Sequence, residues 1–556
     1  MILNQKEKLI FVGIIILFIL IRFFGLDMPY HLDEAKYASI KPIIWNSEGV
    51  SAHPPLTSII FGLTSKIFGP DYFRATPLIF GFINLFLIFF LVKSLFDTKA
   101  ALWSAFLFSI SFYSVLASLT VDTDGQILPF FLLLTFIGYF KWEKTDDRKR
   151  KLFWAIFTLA AIIAGFLTKL SFIIPVAAVF LTFLYNKRAL INKSFIIKYG
   201  LYVIGILVLM FLALLNAKII YPTFDLSKII SHAQSAIKFS DRSYLQVFIQ
   251  IVKAIFYSSP LLFVPILFLR KHNFSRIIFS FLLILLGSIF YIFLFDFSRA
   301  ALDKYLQFII VPLCVISGVV IADISSERRF NNNSLIFTGI FVAVFLFFTQ
   351  FLPHFIPPHY PKEEWIKRVL DLRWNFVFPF TGGSGPMGFY VSWLFIGGMW
   401  IAAVSIACAG FFQKKSAGSA MVAILFLGVV YNTVFAEEYL FGKINGSSKF
   451  LTKNAISFIK ENNEIEKVIT YNDIGSRDLR LMGKYQRRLY AVPKYEEEYK
   501  EILDSFKIHY FVLGIPHINS DSLYGEYFST CAVVYEKISR KISSRIYDCK
   551  NATIPD

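Results

Sequence analysis

The sequence predicts an α-helical polytopic membrane protein with a small water-exposed α/β domain at its C-terminal end. Three observations carry that expectation. Of 556 residues, 56% are hydrophobic and only 17% charged, with 65 Phe, which is more apolar surface than a soluble fold of this length buries. Apolar stretches of the length that crosses a bilayer recur as far as residue 435. Beyond them the composition changes to alternating polar helical and β-rich segments.

The first apolar run, 9–26, follows Lys6 and Lys8. It is longer than the apolar region of a typical signal peptide and no small-x-small cleavage site follows, so it reads as a retained helix. Further runs at 77–96, 101–119, 126–142, 152–168, 171–185, 199–220, 245–269, 277–295, 305–321, 335–352, 388–411 and 421–435 bring the expectation to about 13 spans. Residues 1–436 thus form the membrane part, with a first outer loop at 27–76, and 437–556 the outer domain.

Basic residues collect in alternate loops: Lys99; Lys144 with Arg148 to Lys151; Lys187, Arg188, Lys193 and Lys198; Arg270, Lys271 and Arg276; Arg328 and Arg329; Lys414 and Lys415. By the positive-inside rule those loops and the N-terminus face the cytoplasm of a cell-membrane protein, and the tail lies outside. The formal charge of +18 then reflects topology and anionic headgroups, and nothing in it points to a nucleic-acid partner.

In the tail, helices are expected at 450–461 and 495–506, and strands at 467–471, 488–492, 509–513 and 532–535. Cys531 and Cys549 are symmetric about Arg540, so a hairpin centred there places them face to face. An oxidising compartment allows a disulfide, two free thiols being the alternative. Cys314 and Cys408 read as filler within spans. The chain shows no internal repeat, P-loop or dinucleotide fingerprint, and its eight His are scattered, which argues against a preformed zinc site.

Chemistry is expected where charge gathers at the outer membrane face. His31-Leu32-Asp33-Glu34-Ala35-Lys36-Tyr37 opens the first outer loop and places Lys36 and Tyr37 one helical turn from Asp33. An acid beside a cation stays ionised and can accept a proton, although a helix cap gives the same pattern. Ser51-Ala52-His53-Pro54-Pro55-Leu56 starts another interfacial helix, in which His53 also reads as a plain turn residue. Asp122 and Asp124 lie at an outer junction and Lys169 ends the next outward span; acids and ammonium groups at such places face a cavity or a partner, or snorkel to headgroups. Arg74, Arg299, Lys304 and Tyr305 carry the same two readings. Residues 354–390, with several Trp and Arg and a Gly-rich stretch, read as an outer loop able to cover a site, or as an ordinary interfacial loop.

Taken together these motifs resemble the GT-C membrane glycosyltransferases. The resemblance rests on Asp33-Glu34-x-Lys36-Tyr37 after the first span, Pro54-Pro55-Leu56 some twenty residues on, Arg74 before Pro77, Asp124 after the third span, and Leu167-Thr168-Lys169 after the fifth. It is nearest to the branch of lipid A aminoarabinose transferases and protein O-mannosyltransferases. It covers roughly the first 320 residues.

The likeness implies transfer of a sugar from a polyprenyl-phosphate carrier to an acceptor on the non-cytoplasmic side, with Asp33 near the acceptor. On chemical grounds Asp33 is then the general base. Glu34, Tyr37 and Asp124 orient donor or acceptor, and Lys169 and Arg74, with Lys36, His53 and Lys304, hold the phosphate. One displacement inverts the anomeric centre. No cofactor is required, although Asp33 with Glu34 could bind a divalent metal. The expected partners are the lipid-linked sugar, the bilayer, and an acceptor that is a glycolipid, a polysaccharide or a protein. His53 stands where the aminoarabinose enzymes usually carry Lys, which leaves the acceptor class open. The rivals are a lipid-linked-sugar flippase or transporter, expected to show repeats and broken helices, and a non-catalytic scaffold.

Overall fold

A computed structural model of the chain describes residues 3–31, 33–38, 54–69, 71–220, 224–236, 243–295, 303–326, 332–358, 363–380, 387–489 and 496–554. Its helices in chain order are α1 (Gln5–Phe23), α2 (Asp33–Ala38), α3 (Leu56–Phe68), α4 (Ala75–Leu95), α5 (Thr98–Ile110), α6 (Phe112–Leu119), α7 (Ile127–Lys144), α8 (Arg148–Thr168), α9 (Ile173–Asn186), α10 (Lys193–Ile220), α11 (Leu226–Ala236), α12 (Tyr244–Phe263), α13 (Lys271–Ile289), α14 (Ile310–Ser326) and α15 (Asn333–Phe348). They continue with α16 (Glu363–Leu370), α17 (Trp393–Phe412), α18 (Ala417–Leu440), α19 (Ser448–Glu461), α20 (Ser476–Leu481), α21 (Glu496–Ser505) and α22 (Leu523–Ser529). Strands β1 (Val377–Phe380) and β2 (Phe389–Ser392) form a hairpin, and β3 (Val468–Tyr471), β4 (Tyr485–Leu489), β5 (His509–Leu513), β6 (Ala532–Ser539) and β7 (Ile542–Asp548) a sheet.

Among the described residues nine helices are long and apolar enough to cross a membrane, and the bent pair α5–α6 makes a tenth. The chain is a multi-pass membrane protein. The three other expected spans are also helices: α1 and α7 carry charge at their ends, and α9 has only 14 residues.

The described residues cluster into two compact units. One comprises Met1–Leu26, Ile40–Asn333 and Ala407–Val422, the other Asp27–Ser39, Ser334–Ile406 and Ala423–Asp556. The unit holding the sheet thus includes segments that the sequence division at 437 assigns to the membrane part.

In the first unit α5 packs against α4 and α14, and α7 against α8. Small residues allow the close approaches, as in other membrane helix pairs: a Cβ on Gly318 of α14 would collide with Ser104 of α5, and one on Gly138 of α7 with Thr158 of α8.

The run expected as one span at 101–119 is broken, α5 and α6 meeting at 63°. The sequence reading found no broken helix, because neither Gly nor Pro marks this one. Ser111, with φ −58° and ψ 124°, leaves the helical region, and the carbonyls it frees need donors that lipid cannot supply. Arg22 of α1 supplies them. Its buried guanidinium donates to the Ser109 carbonyl at 2.9 Å, the Phe108 carbonyl at 3.3 Å and the Ser114 hydroxyl at 3.0 Å, and lies over the Phe18 ring.

In the second unit the sheet order is β4-β3-β5-β7-β6, with β3 parallel to β4 and β5, and β7 antiparallel to β5 and β6. Val468–Tyr471 and His509–Leu513 are buried throughout, as continuous apolar runs are when helices cover both faces of parallel strands. One face packs Tyr471, Tyr510, Tyr527 and Phe528; the other packs Leu451, Ile465, Phe511 and Ile546. The expected helices 450–461 and 495–506 correspond to α19 and α21. β4 begins three residues before its expected start, because Tyr485 already pairs with Val468. β6 runs on to Ser539, and Arg540, at φ 54°, turns the hairpin. Cys531 and Cys549 form a disulfide across its open end.

The expected span 388–411 starts later. Phe389–Ser392 forms β2, pairing antiparallel with Val377–Phe380, and α17 begins at Trp393. Aromatic and β-branched residues there favour a pleated strand over the first turn of a helix. The Gly-rich stretch 381–386 of the expected cover lies outside the described residues.

Candidate active site

The turn from α6 into α7 gathers the charge of the first unit. After α6 ends at Leu119, Asp122 Oδ1 accepts from the Asp124 N–H at 3.1 Å, a local turn that aims both carboxylates into the helix bundle. Gly125 is needed here, since a Cβ would meet the Ala117 carbonyl at 2.6 Å. Lys169, at the residue linking α8 to the next helical turn, donates to Asp124 Oδ2 at 2.5 Å, and Lys304, ahead of α14, donates to Asp122 Oδ2 at 2.6 Å. The lysine side chains are 11% and 5% exposed and the aspartates 4% and 3%. Two cations and two anions lie side by side, so the cluster is neutral as a whole. That neutrality is what lets four charges stay buried.

Aromatic rings roof the cluster. The Tyr305 ring centroid lies 4.2 Å from the Lys169 ammonium and 5.4 Å from that of Lys304, and the ring stacks on Tyr291 at 5.6 Å. Beside it is a cavity of about 30 Å³ lined by Asp124, Ser171, Tyr291, Tyr305 and apolar side chains of α7, α9, α13 and α14. The polar floor is tied in by a chain of hydroxyls: Thr123 donates to Thr57 at 3.2 Å, and Thr57 to the Thr168 carbonyl at 3.1 Å.

The structure therefore brings together Asp124, Lys169 and Lys304 of the expected residues. It adds Asp122 and Tyr305, which the sequence reading noted at these junctions without giving them roles. The signal was an Asp-x-Asp pair and two lone lysines at outer helix ends: two buried ammonium groups need two carboxylates. Arg74, another expected phosphate-holding residue of this unit, lies at the same turn. Buried at the start of α4, it donates to the Leu119 carbonyl, which caps α6 and holds the turn in place.

In the second unit α2 begins at Asp33. Glu34 is buried and accepts the His31 N–H at 2.9 Å while its own N–H bonds the His31 carbonyl at 3.0 Å, a reciprocal arrangement that fixes the start of the helix. Tyr37 is buried on the same short helix. The side chains of Asp33 and Lys36, and all of His53, lie outside the described residues. A metal at Asp33 and Glu34 therefore falls outside them as well. Among the described residues no three His, Cys, Asp or Glu converge.

Comparison with known proteins agrees with this architecture. The model of a family described as dolichyl-phosphate-mannose-protein mannosyltransferase matches residues 52–214. ArnT from Cupriavidus metallidurans in the apo state has a similar fold, with a TM-score of 0.58 at 14% identity over 98% of this chain and 99% of that one. The same protein bound to undecaprenyl phosphate gives 0.58 at 14% over 100% of both chains. No curated protein matches the chain. The likeness to GT-C membrane glycosyltransferases read from the sequence is thus carried by a family model over part of the chain and by the fold over the whole of it.

Proposed function

From the fold shared with ArnT as premise, we propose that this protein is a membrane glycosyltransferase. It moves a sugar from a polyprenyl-phosphate donor to an acceptor hydroxyl on the non-cytoplasmic face, and it inverts the anomeric configuration. The observation that carries this reading is the pair of buried lysines, Lys169 and Lys304, held side by side at an outer helix junction under a tyrosine roof.

The chemistry runs as a single displacement. The acceptor oxygen bonds to the anomeric carbon as the bond from that carbon to the phosphate oxygen breaks, and the electron pair leaves with the phosphate. The phosphate gains a negative charge in this step, and two preformed ammonium groups in a water-poor site stabilise that charge most where it develops. Asp33 takes the acceptor proton. Asp122 and Asp124 hold the lysines before the donor arrives; each ammonium has three N–H donors, which phosphate oxygens share with the carboxylates once the donor enters. Arg74 acts through the turn that it caps, and Glu34 and Tyr37 shape the acceptor side. Lys36 and His53 keep the phosphate-holding role that the resemblance implies. A polytopic enzyme of this kind works in the cell membrane with its N-terminus inside and its sheet-bearing tail outside, as the basic loops indicate.

The test is transfer from a panel of radiolabelled polyprenyl-phosphate sugars to envelope extract by purified wild type and Asp33→Asn. The reading requires transfer by the wild type and a fall of roughly a hundredfold or more in the variant. Absence of transfer across the panel, with movement of lipid-linked sugar across proteoliposomes instead, would establish a transporter.

A further inference from the structure

The tail domain meets the helix that begins at Asp33 through the part of its sheet where related sheets bind ligands. Strands β3, β4 and β5 are joined through α20 and α21, and β3 lies between the other two. The chain leaves β3 toward β4 on one side and leaves its neighbour β5 toward β6 on the other, so these two adjacent strands are exited in opposite directions. In open parallel sheets the crevice beyond the carboxyl ends of the strands at such a reversal is the binding edge. The chain leaving β3 there is unusual: Asn472, Asp473 and Gly475 all have positive φ, at 56°, 62° and 68°. Two of these are not glycine, so the conformation costs energy and its surroundings hold it. Asp473 is buried and accepts from the Tyr485 hydroxyl at 2.7 Å, and the Asn472 N–H bonds the Leu489 carbonyl at 3.0 Å.

That strained turn seats a segment of the chain's own first outer loop. Ile474 forms an antiparallel bridge with His31. Three residues on, buried Arg477 donates from Nε to the Ala38 carbonyl at 3.3 Å and lies 4.8 Å over the Tyr30 ring. Ala38 ends α2, so its carbonyl is one of those a helix leaves without an internal partner, and a guanidinium there also opposes the negative end of the helix. At the other side of the segment Asp27 is gripped by Lys449 and Lys453 of α19. Helix α2 is thus tied to the tail before its first residue and at its last.

We propose that the tail domain is a clamp for the catalytic loop, and that Arg477 is a positioning residue which sets where α2, and hence Asp33, stands during transfer. This rests on the reading of Asp33 as base. On the same reading Lys169 and Lys304 carry most of the hold on the donor phosphate and α2 adds only Lys36, so loosening the clamp acts on turnover more than on donor binding.

The experiment uses the full chain and two readouts. In the transfer assay Arg477→Ala lowers kcat about tenfold to a hundredfold, the scale of a lost charged hydrogen bond. KM for the donor stays within about twofold, and Arg477→Lys recovers part of the loss because it keeps the charge near Ala38 and Tyr30. In hydrogen exchange the amides of residues 31–38 exchange faster in Arg477→Ala while those of β5 and β7 keep their protection. If Arg477→Ala exposes the whole sheet, Arg477→Lys is read in its place by the same two criteria. Unchanged exchange at 31–38 overturns the clamp. So does an unchanged kcat in an enzyme that Asp33→Asn abolishes, which leaves the transferase reading intact. Should the wild type transfer nothing, the transferase reading fails, and the exchange at 31–38 alone decides whether the tail holds α2.

Discussion

Two sets of Lys–Asp pairs in this protein have nearly the same geometry and opposite surroundings. Lys304 and Asp122 meet at 2.6 Å with side chains 5% and 3% exposed; Lys453 and Asp27 meet at 2.7 Å with side chains 47% and 59% exposed. In water the attraction between such charges is largely cancelled by lost hydration and side-chain freedom, and an exposed pair contributes at most about 1 kcal/mol. Inside the bundle each charge depends on its partner, and removing one member strands the other at a cost of about 3–5 kcal/mol. The exposed pairs are a removable fastening. The buried ones exist only as a set, which is costly to keep unless the lysines are needed where they are.

The largest effect that sharpens this contrast is on the buried set. Lys304→Ala should lower stability by about 3–5 kcal/mol, read as a drop in the thermal midpoint of the detergent-solubilised protein. The paired change Lys304→Leu with Asp122→Leu should restore much of that midpoint while transfer stays lost. A double variant no more stable than the single would mean that the charges are not coupled.

Next in size is the disulfide of the outer domain. It closes a loop of 18 residues, so Cys531→Ser with Cys549→Ser should cost about 3 kcal/mol. The loss should appear in protease resistance of the tail and not in helix content. His354 then tests burial without a carboxylate partner. Its ring, taken up by Ser392 and Lys541, has its pKa pushed down to about 4, chiefly by burial and then by the Lys541 charge. The unfolded chain binds a proton that the folded one refuses between about pH 6.5 and 4. Stability should therefore be lost as pH falls from about 6.5 to 4, and His354→Gln should flatten the slope.

The smallest effect belongs to Asp27. Partial burial works against its ionisation, but the Lys449 and Lys453 hydrogen bonds and charges hold its carboxyl below the usual range. Its contribution is present above the ordinary carboxylate pKa and disappears only as pH falls through the lowered value. Asp27→Asn should cost less than about 1 kcal/mol and be masked by salt.

The contrast also explains what could be read in advance. Spans, the buried strands Val468–Tyr471 and His509–Leu513, and the cysteine pair follow from local pattern, because period and burial are written in adjacent residues. Asp124 and Lys169 stood out because charge at a span end needs an explanation. Arg22 did not: an arginine near the end of the first span looks like an interfacial anchor, and its partners, Ser109 and Phe108, are more than 80 residues away. The same distance hid the pairing of Lys304 with Asp122 and the hold of Arg477 on Ala38. The break at Ser111 was equally silent, since neither Gly nor Pro marks it and the donors that satisfy its freed carbonyls come from an arginine on another helix.

The most direct measurement is the rate of sugar transfer from a polyprenyl-phosphate donor by wild type, Lys169→Met and Asp27→Asn, each checked to be folded by its exclusion profile and thermal midpoint. The account predicts a loss of at least about a hundredfold for Lys169→Met, the scale of removing a preorganised charge from a developing anion, and at most about a fivefold loss for Asp27→Asn, the scale of an exposed ion pair. Transfer at the wild-type rate by folded Lys169→Met would contradict it.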